Sequence, residues 1–313
     1  SVTGKSYEYR KQWIVDRLKE LSFVYTIDIC AYAVMSNHYH LVIKVNKEKA
    51  LQLSEEEVID RWTKLFNGNV LVQRYQKGDC HSEGEIDKVK EIIAQWRDRL
   101  YDLSWFMRCL NEHVSRKANE EDKCTGHFWE GRFKSQALLN EQALLSCMAY
   151  VDLNPIRAGL AESVDFSDYT GISQRIKEIK LEVDKVTLAN NKKVQIGSNQ
   201  TQENQDEEVV VKLADFVGSK DIDGIPYLLV DYLELVDWTG RAMRDDKKGY
   251  IPSSEPKIIS KLGFTVEVWM KSVSQFSDHF YSHIGSDDQL KAVCKKAEVN
   301  WLAGSKSCRE IYQ

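Results

Sequence analysis

Two histidines, His38 and His40, stand one residue apart in the stretch AYAVMSNHYHLVIKV, which covers residues 31–45. The stretch alternates as a β-strand does, and alternate residues of a strand point to the same face of a sheet. Two neutral imidazoles on one rigid face can hold a divalent metal ion with little rearrangement, provided that another part of the chain supplies a third ligand. The alternative interpretation is a polar strand face that happens to carry two histidines.

A tyrosine and an asparagine lie four residues apart in MAYVDLNPIRAG, at Tyr150 and Asn154. This spacing places both on one face of a helix. Asn140 is the predicted N-cap of that helix, and Pro155 is expected to end or kink it. Taken alone, the tyrosine is typical of packing and the asparagine of a turn. Together with the histidine pair, they would supply a nucleophile and an oxygen ligand.

The segment HFWEGRFKSQALL, residues 127–139, alternates and predicts a further strand. Arg132 and Lys134 would point to one face, with Trp129 and Phe133 nearby. Cationic and aromatic side chains in this arrangement can contact DNA phosphates and stack on bases, so we expect them on the side of the histidine pair. The alternative is a solvated strand edge. Further cations that could join a basic patch are Arg108, Arg116, Lys117 and Arg157.

Two other possible metal motifs are incomplete. Cys124 and His127 have the spacing of half a zinc site, but no second half follows in the sequence. His279 and His283 could clamp a metal on a helix, yet no third ligand accompanies them, so we predict an ordinary surface helix there. The seven cysteines form no C-x-x-C pair, which is typical of reduced thiols in a cytoplasm.

Composition limits the classes of function. The chain has 313 residues, of which 42% are hydrophobic, enough for two ordinary cores. It contains no run of 18 apolar residues, so we expect no membrane partner. The formal net charge is −5, and bulk charge alone therefore does not indicate a nucleic-acid binder. A DNA-binding protein of this composition must concentrate its positive charge locally.

Periodicity predicts an α+β fold. A helix over residues 7–21 should precede two strands joined by a turn at Ser36-Asn37, and Ser54 should open a helix with a capping box. With the strand at 127–139, these elements form an antiparallel sheet with flanking helices. The predicted divisions are a first domain at residues 1–183, a polar linker or exposed loop at 184–210, and a mostly helical domain at 211–313.

Several segments resemble one family of enzymes. SNHYH resembles the histidine–hydrophobic–histidine (HUH) motif of single-tyrosine transposases. GHFWEGRFKSQALL and AYVDLNPIRAGL resemble the REP-associated tyrosine transposases, and DYLELVDWTGRAM resembles the C-terminal extension of their longer members. The resemblance covers most of the chain apart from the polar linker. It implies an HUH, ferredoxin-like nuclease core with a mostly helical C-terminal domain.

The resemblance also implies roles for individual residues. His38 and His40 would bind Mg²⁺ or Mn²⁺, Asn154 would complete the metal shell, and Tyr150 would be the nucleophile. The expected activity is nicking and strand transfer of single-stranded or hairpin DNA, such as palindromic extragenic repeats, through a 5′-phosphotyrosine intermediate. The protein would act as a monomer or homodimer in the bacterial cytoplasm, associated with the nucleoid.

Other functions compete with this one. A domesticated copy could bind DNA hairpins without cleaving them. An HUH initiator of replication or conjugation often carries a P-loop, and the sequence contains no G-x-x-x-x-G-K-[ST] motif. A small-molecule metalloenzyme would leave the aromatic and basic segment at 127–139 unexplained. The family fold also starts with a strand before the first helix, so we expect the natural protein to extend N-terminal to Ser1.

Overall fold

The computed structural model describes residues 6–194, 210–243, 254–274 and 276–312. The chain is of mixed α and β structure and divides into two compact units. The first unit comprises residues 1–29, 43–133 and 210–213, and the second comprises 30–42, 134–209 and 214–313. In the described ranges, no helix combines the length and the apolar character needed to cross a bilayer.

A β-hairpin lies near the start of the chain. Strand β1 (Ile27–Val34) pairs with strand β2 (Tyr39–Val45) in a two-stranded sheet. The backbone N–H of Met35 donates to the carbonyl oxygen of His38 at 2.8 Å and closes the turn. The predicted turn at Ser36-Asn37 is therefore confirmed, and it places His38 directly before the second strand.

The first unit is a set of helices around an apolar core. Ser54 forms the predicted capping box: its Oγ accepts from the N–H of Glu57 at 3.1 Å, and the Glu57 carboxylate accepts from the N–H of Ser54 at 2.7 Å. The Asp102 side chain caps the helix that begins at Leu103, because its Oδ1 accepts from the backbone N–H of Trp105 at 2.8 Å. The helices are α1 (Arg10–Val24), α2 (Lys47–Gln52), α3 (Glu55–Thr63), α4 (Val70–Gln76), α5 (Glu83–Arg99) and α6 (Leu103–Glu121).

The strand predicted at residues 127–139 is wrong for most of its length. Within it, only β3 (Ala137–Leu138) forms a strand, and this strand pairs in parallel with β4 (His283–Ile284), not with the hairpin. Residues 127–136 are largely exposed and follow Gly126, whose φ is +134°. Alternation indicates a strand only where a sheet edge is present to receive its hydrogen bonds.

The second unit contains the remaining elements. Its helices are α7 (Glu141–Asp152), α8 (Asn154–Arg157), α9 (Gly171–Val194), α10 (Leu229–Met243), α11 (Lys257–Lys261), α12 (Val266–Ser274), α13 (Phe276–His279), α14 (Asp287–Ala297) and α15 (Ser305–Ile311), with a 3₁₀ turn at Val164–Phe166. Asn140 caps α7 as predicted, because its Oδ1 accepts from the Ala143 N–H at 2.7 Å.

The C-terminal helices share a core with α7, so the units differ from the predicted division at residue 183. Residues 148–156 are all buried, and Trp238 and Trp269 join the same apolar cluster. In α10, a Cβ at Gly240 would lie 3.1 Å from a methyl group of Leu153. The small residue lets the two segments approach closely. The last turn of α7 is buried throughout and needs partners beyond a single sheet, and the C-terminal segment supplies them.

The predicted linker is partly helical. Helix α9 begins at Gly171 and continues through Val194, so the first part of the 184–210 segment belongs to a long helix. Residues 195–209 lie outside the described residues. Polar composition indicated a loop, but charged residues such as Lys and Glu also favour helices, and composition alone does not separate the two states.

Exchange of Trp238 for alanine tests whether the C-terminal segment is part of the common core. Trp238 is 2% exposed, whereas Trp301 is 73% exposed and provides a matched control. We expect Trp238→Ala to lower the free energy of unfolding by about 3–5 kcal/mol, and Trp301→Ala to change it by no more than about 0.5 kcal/mol. Urea unfolding measures both. A separate, unshifted transition for the rest of the second unit would contradict a common core.

Candidate active site

The predicted histidine pair lies at the start of β2. The rings of His38 and His40 are 5.0 Å apart between centroids, at an interplanar angle of 81°. His38 is exposed, and its Nδ1 lies 2.7 Å from Oδ1 of Asn37. If that nitrogen carries the proton, Nε2 is left with a lone pair for a metal ion. On the same face, Val42 is 2% exposed and joins the core.

Tyr150 meets this pair from the last turn of α7. Its ring centroid is 5.6 Å from that of His40, with the rings at 76°. The tyrosine is 7% exposed. We call His38, His40 and Tyr150 the histidine–tyrosine cluster. The structure therefore brings together three of the four residues that the sequence assigned to the chemistry.

Two further side chains contact the tyrosine. The ring of Phe276 stacks on Tyr150 at 5.3 Å and 29°, and the guanidinium carbon of Arg157 lies 4.4 Å from the Tyr150 ring centroid. Phe276 was not predicted from the sequence, because no spacing or periodicity links it to Tyr150, which is distant in the chain. Arg157 was predicted only as one cation among several, although its position seven residues after Tyr150 was a usable signal.

Burial determines the charge state of His40. It lowers the pKa of His40 to about 4, and the nearby His38 and Arg157 act in the same direction. The imidazole is therefore neutral at pH 7. A neutral imidazole keeps a lone pair that a metal ion can accept.

Asn154 lies one helical turn after Tyr150, where the helix is interrupted. Helix α7 ends at Asp152, and α8 begins at Asn154 with Pro155 next, so the predicted end or kink near Asn154 is confirmed. Asn154 is 8% exposed. Its proposed place in a metal shell stays a prediction.

A buried carboxylate holds the end of α7. One oxygen of Asp152 accepts from the backbone N–H of Ile172 in α9 at 3.2 Å, and the other accepts from the Tyr232 hydroxyl in α10 at 2.5 Å. Burial raises the pKa of Asp152 to about 7, while Tyr232 and Arg175 favour its ionised form. Arg175 in turn donates to the carbonyl oxygen of Ala214 at 2.7 Å. These bonds fix the turn that carries Tyr150.

The donor set of the cluster suits a divalent metal ion. His38 and His40 are adjacent, His40 is neutral, and an amide such as that of Asn154 would add an oxygen ligand. In the part of the chain that the structure describes, no group of three or more His, Cys, Asp or Glu side chains is placed to hold a metal. The candidate set is of a different kind, with two imidazoles and one amide.

The other histidine pair is not on one helix. Helix α13 ends at His279, and His283 lies in β4, so the predicted surface helix through both residues is wrong. Nδ1 of His283 lies 2.9 Å from the hydroxyl oxygen of Ser282. The turn between helix and strand separates the two positions, which a four-residue spacing alone did not reveal.

The aromatic and basic segment forms an exposed loop. In the first unit, Arg132 and Phe133 are exposed, while Trp129 is half-buried and donates from Nε1 to the carbonyl oxygen of Asn111 in α6 at 3.0 Å. The indole is therefore held in place by α6. Lys134, in the second unit, is exposed. Their roles in DNA binding stay predictions.

No family model, curated protein or solved structure matches the chain.

Substitution of Tyr232 tests the hydrogen bond that holds α7. The folded state raises the pKa of Asp152, so stability falls as the pH rises from about 4 to about 7, where the folded protein releases the proton. The phenol hydroxyl stabilises the ionised carboxylate. Tyr232→Phe should therefore cost about 1–3 kcal/mol at pH 8, and less at pH 5.

The matched control is Tyr281→Phe, because Tyr281 is 57% exposed and its change should leave stability unaltered at both pH values. Urea unfolding at pH 5 and pH 8 gives the four differences. An equal loss for Tyr232→Phe at both pH values would show that the hydroxyl does not stabilise the charged form of Asp152.

Proposed function

We propose that this chain is a divalent-metal-dependent DNA endonuclease and strand transferase, acting on single-stranded or hairpin DNA like the single-tyrosine HUH transposases that it resembles. The observation that carries the proposal is the contact between His40 and Tyr150, at 5.6 Å between ring centroids, with His38 beside it. Cleavage of a phosphodiester by a phenol requires a nucleophile next to groups that can bind a charge-withdrawing cation. The histidine–tyrosine cluster has both parts.

The chemistry assigned to Tyr150 is a transesterification. Its hydroxyl oxygen attacks the phosphorus, the new O–P bond forms, and the bond from phosphorus to the 3′ oxygen breaks. The phenol loses its proton, and the departing oxygen gains one and becomes a free 3′-hydroxyl. The 5′ end stays on Tyr150 as a phosphotyrosine. Because the ester energy is retained, a second 3′-hydroxyl can reverse the step and join a different strand without ATP.

His38, His40 and Asn154 would hold Mg²⁺ or Mn²⁺. When bound, the ion would withdraw charge from the scissile phosphate and orient it for in-line attack. Two imidazoles and an amide are softer than the all-oxygen shell that Mg²⁺ prefers, which favours Mn²⁺ as an effective substitute. The partial burial of His40 supports this role, because it keeps the imidazole neutral.

The remaining groups hold the tyrosine and the DNA. Stacking of Phe276 on Tyr150 restricts the phenol ring, so its hydroxyl is oriented before DNA arrives. The net charge of −5 requires DNA contacts to be local. The exposed Arg132 and Lys134 would bind phosphates, and the exposed Phe133 would offer a face for base stacking.

One observation favours a second candidate, a hairpin-binding protein that does not cleave DNA. Tyr150 is only 7% exposed, as is common for a packing residue. Reaction with a phosphate would require the DNA to enter beside the ring or the ring to move outward. The two functions differ in whether a covalent protein–DNA adduct forms.

Replacement of the Tyr150 hydroxyl separates the two functions. Tyr150→Phe keeps the ring and its stacking on Phe276, so the variant should fold and bind hairpin DNA normally. We expect it to form no covalent adduct on a denaturing gel. The substrate is a 3′-labelled oligonucleotide from palindromic repeats beside the gene, because the phosphotyrosine link retains the 3′ fragment.

The control for this experiment is Tyr39→Phe, which alters the tyrosine inside the histidine motif. Neighbouring strand residues alternate faces, so Tyr39 should point away from both histidines and its variant should form the adduct at the normal rate. An adduct with Tyr150→Phe, or its loss with Tyr39→Phe, would reassign the nucleophile.

Removal of both imidazoles tests the metal site. His38→Ala with His40→Ala should abolish Mg²⁺- and Mn²⁺-dependent cleavage, as a chelator should for the unaltered protein. Hairpin binding should mostly survive, because phosphate and base contacts elsewhere provide affinity. His81, an exposed histidine of the first unit, provides the control variant His81→Ala. Undiminished cleavage by the double variant would refute the assignment.

A further inference from the structure

Arg157 is the cation beside the histidine–tyrosine cluster. It is the last residue of α8, its side chain is exposed, and its guanidinium carbon lies 4.4 Å from the centroid of the Tyr150 ring. The guanidinium therefore lies next to the candidate nucleophile.

Arg157 differs in its ion pairing from other exposed arginines of the second unit. Other exposed arginines of the second unit form ion pairs: Arg241 with Asp237 at 2.7 Å, and Arg309 with Asp287 at 2.6 Å. Within the described ranges, no carboxylate is paired with the guanidinium of Arg157. As far as the described residues show, the five N–H donors of the guanidinium are thus available to an incoming anion.

The chemistry of the proposed reaction calls for such a group. As the phenol oxygen attacks, negative charge increases on the non-bridging oxygens of the phosphate. A planar guanidinium can donate two parallel hydrogen bonds to these oxygens, which fixes the orientation of the phosphate as well as stabilising its charge. A group fixed in place before the reaction stabilises that charge without reorganisation.

We propose that Arg157 is a catalytic residue that binds the non-bridging oxygens of the scissile phosphodiester while Tyr150 attacks the phosphorus. This inference rests on the proposed function and adds to it a phosphate ligand supplied by the protein itself. The oxygen of Tyr150 bonds to phosphorus, the bond to the 3′ oxygen breaks, and the phenol proton goes to solvent while the 3′ oxygen gains one. Arg157 stays protonated and transfers nothing.

Two lesser roles compete with this one. Arg157 could merely pack on the Tyr150 ring through a cation–π contact, or it could add general affinity for DNA. Packing predicts that loss of the guanidinium alters stability. General affinity predicts weaker DNA binding with an unchanged rate once DNA is saturating. A catalytic role predicts a slower covalent step at saturating DNA in a protein of unchanged stability.

The first experiment measures adduct formation by Arg157→Gln on the 3′-labelled hairpin oligonucleotide at saturating concentration. We expect the rate to fall roughly 10²- to 10³-fold, as for loss of one fixed donor to a developing negative charge. Arg157→Lys keeps the charge but not the fork, so it should recover part of the rate. The control is Arg241→Gln, which alters an exposed arginine of the same unit and should form the adduct at the normal rate.

The second experiment asks which phosphate the guanidinium contacts, and it needs no turnover. Tyr150→Phe is compared with Tyr150→Phe/Arg157→Gln in the presence of a chelator, so that no metal ion contacts the phosphate. Binding is measured to the same oligonucleotide with either a normal phosphate or an uncharged methylphosphonate at the mapped cleavage position. The methylphosphonate should weaken binding of the single variant. It should have little additional effect on the double variant, because the cation that senses this charge is absent.

Each outcome decides between the alternatives. If Arg157→Gln forms the adduct within about threefold of the normal rate, the activation free energy has changed by less than about 1 kcal/mol. That result would overturn the catalytic role and leave the proposed function standing. Equal weakening of both Tyr150→Phe proteins by the methylphosphonate would also overturn it, since another group would then contact that phosphate. If the unaltered protein forms no adduct, the proposed function fails, and the role of Arg157 fails with it.

Discussion

The candidate site depends on the burial of the chain at the end of α7. Residues 148–156 are all buried, so every polar group among them requires a partner. The Asp152 carboxylate obtains two, from the Ile172 amide in α9 and the Tyr232 hydroxyl in α10. These bonds restrain the turn that carries Tyr150. A flexible tyrosine on a surface loop would lack this fixed relation to the imidazoles.

The same burial organises the charges around the phenol. His40 is half-buried and is neutral at physiological pH, whereas Arg157, whose guanidinium lies against the Tyr150 ring, is exposed. Phe276 covers one face of the ring and so makes the C-terminal segment a part of the candidate site.

Signals confined to a few neighbouring residues predicted structure well. The cap at Asn140, the capping box at Ser54 and the turn after Met35 all formed as expected, because each depends on hydrogen bonds within four residues. The helix end near Asn154 follows from Pro155 in the same local way. The spacing of His38 and His40 likewise sufficed to place two rings side by side.

Predictions that required distant partners were less successful. The segment at 127–139 has the alternation of a strand, yet the partner of Ala137 is His283, far along the chain and parallel to it. The contact of Phe276 with Tyr150 also joins distant segments. Periodicity describes which face of an element is apolar, but it does not identify what covers that face.

The central claim is that Tyr150 is the group that becomes joined to DNA. The most direct measurement is mass spectrometry of the unaltered protein after reaction with hairpin DNA and Mn²⁺, followed by nuclease and protease digestion. The account predicts one peptide containing residues 141–157 that carries a nucleotide on Tyr150 through its 5′ phosphate. A nucleotide on another tyrosine, or a cleaved strand with no modified peptide, would contradict it.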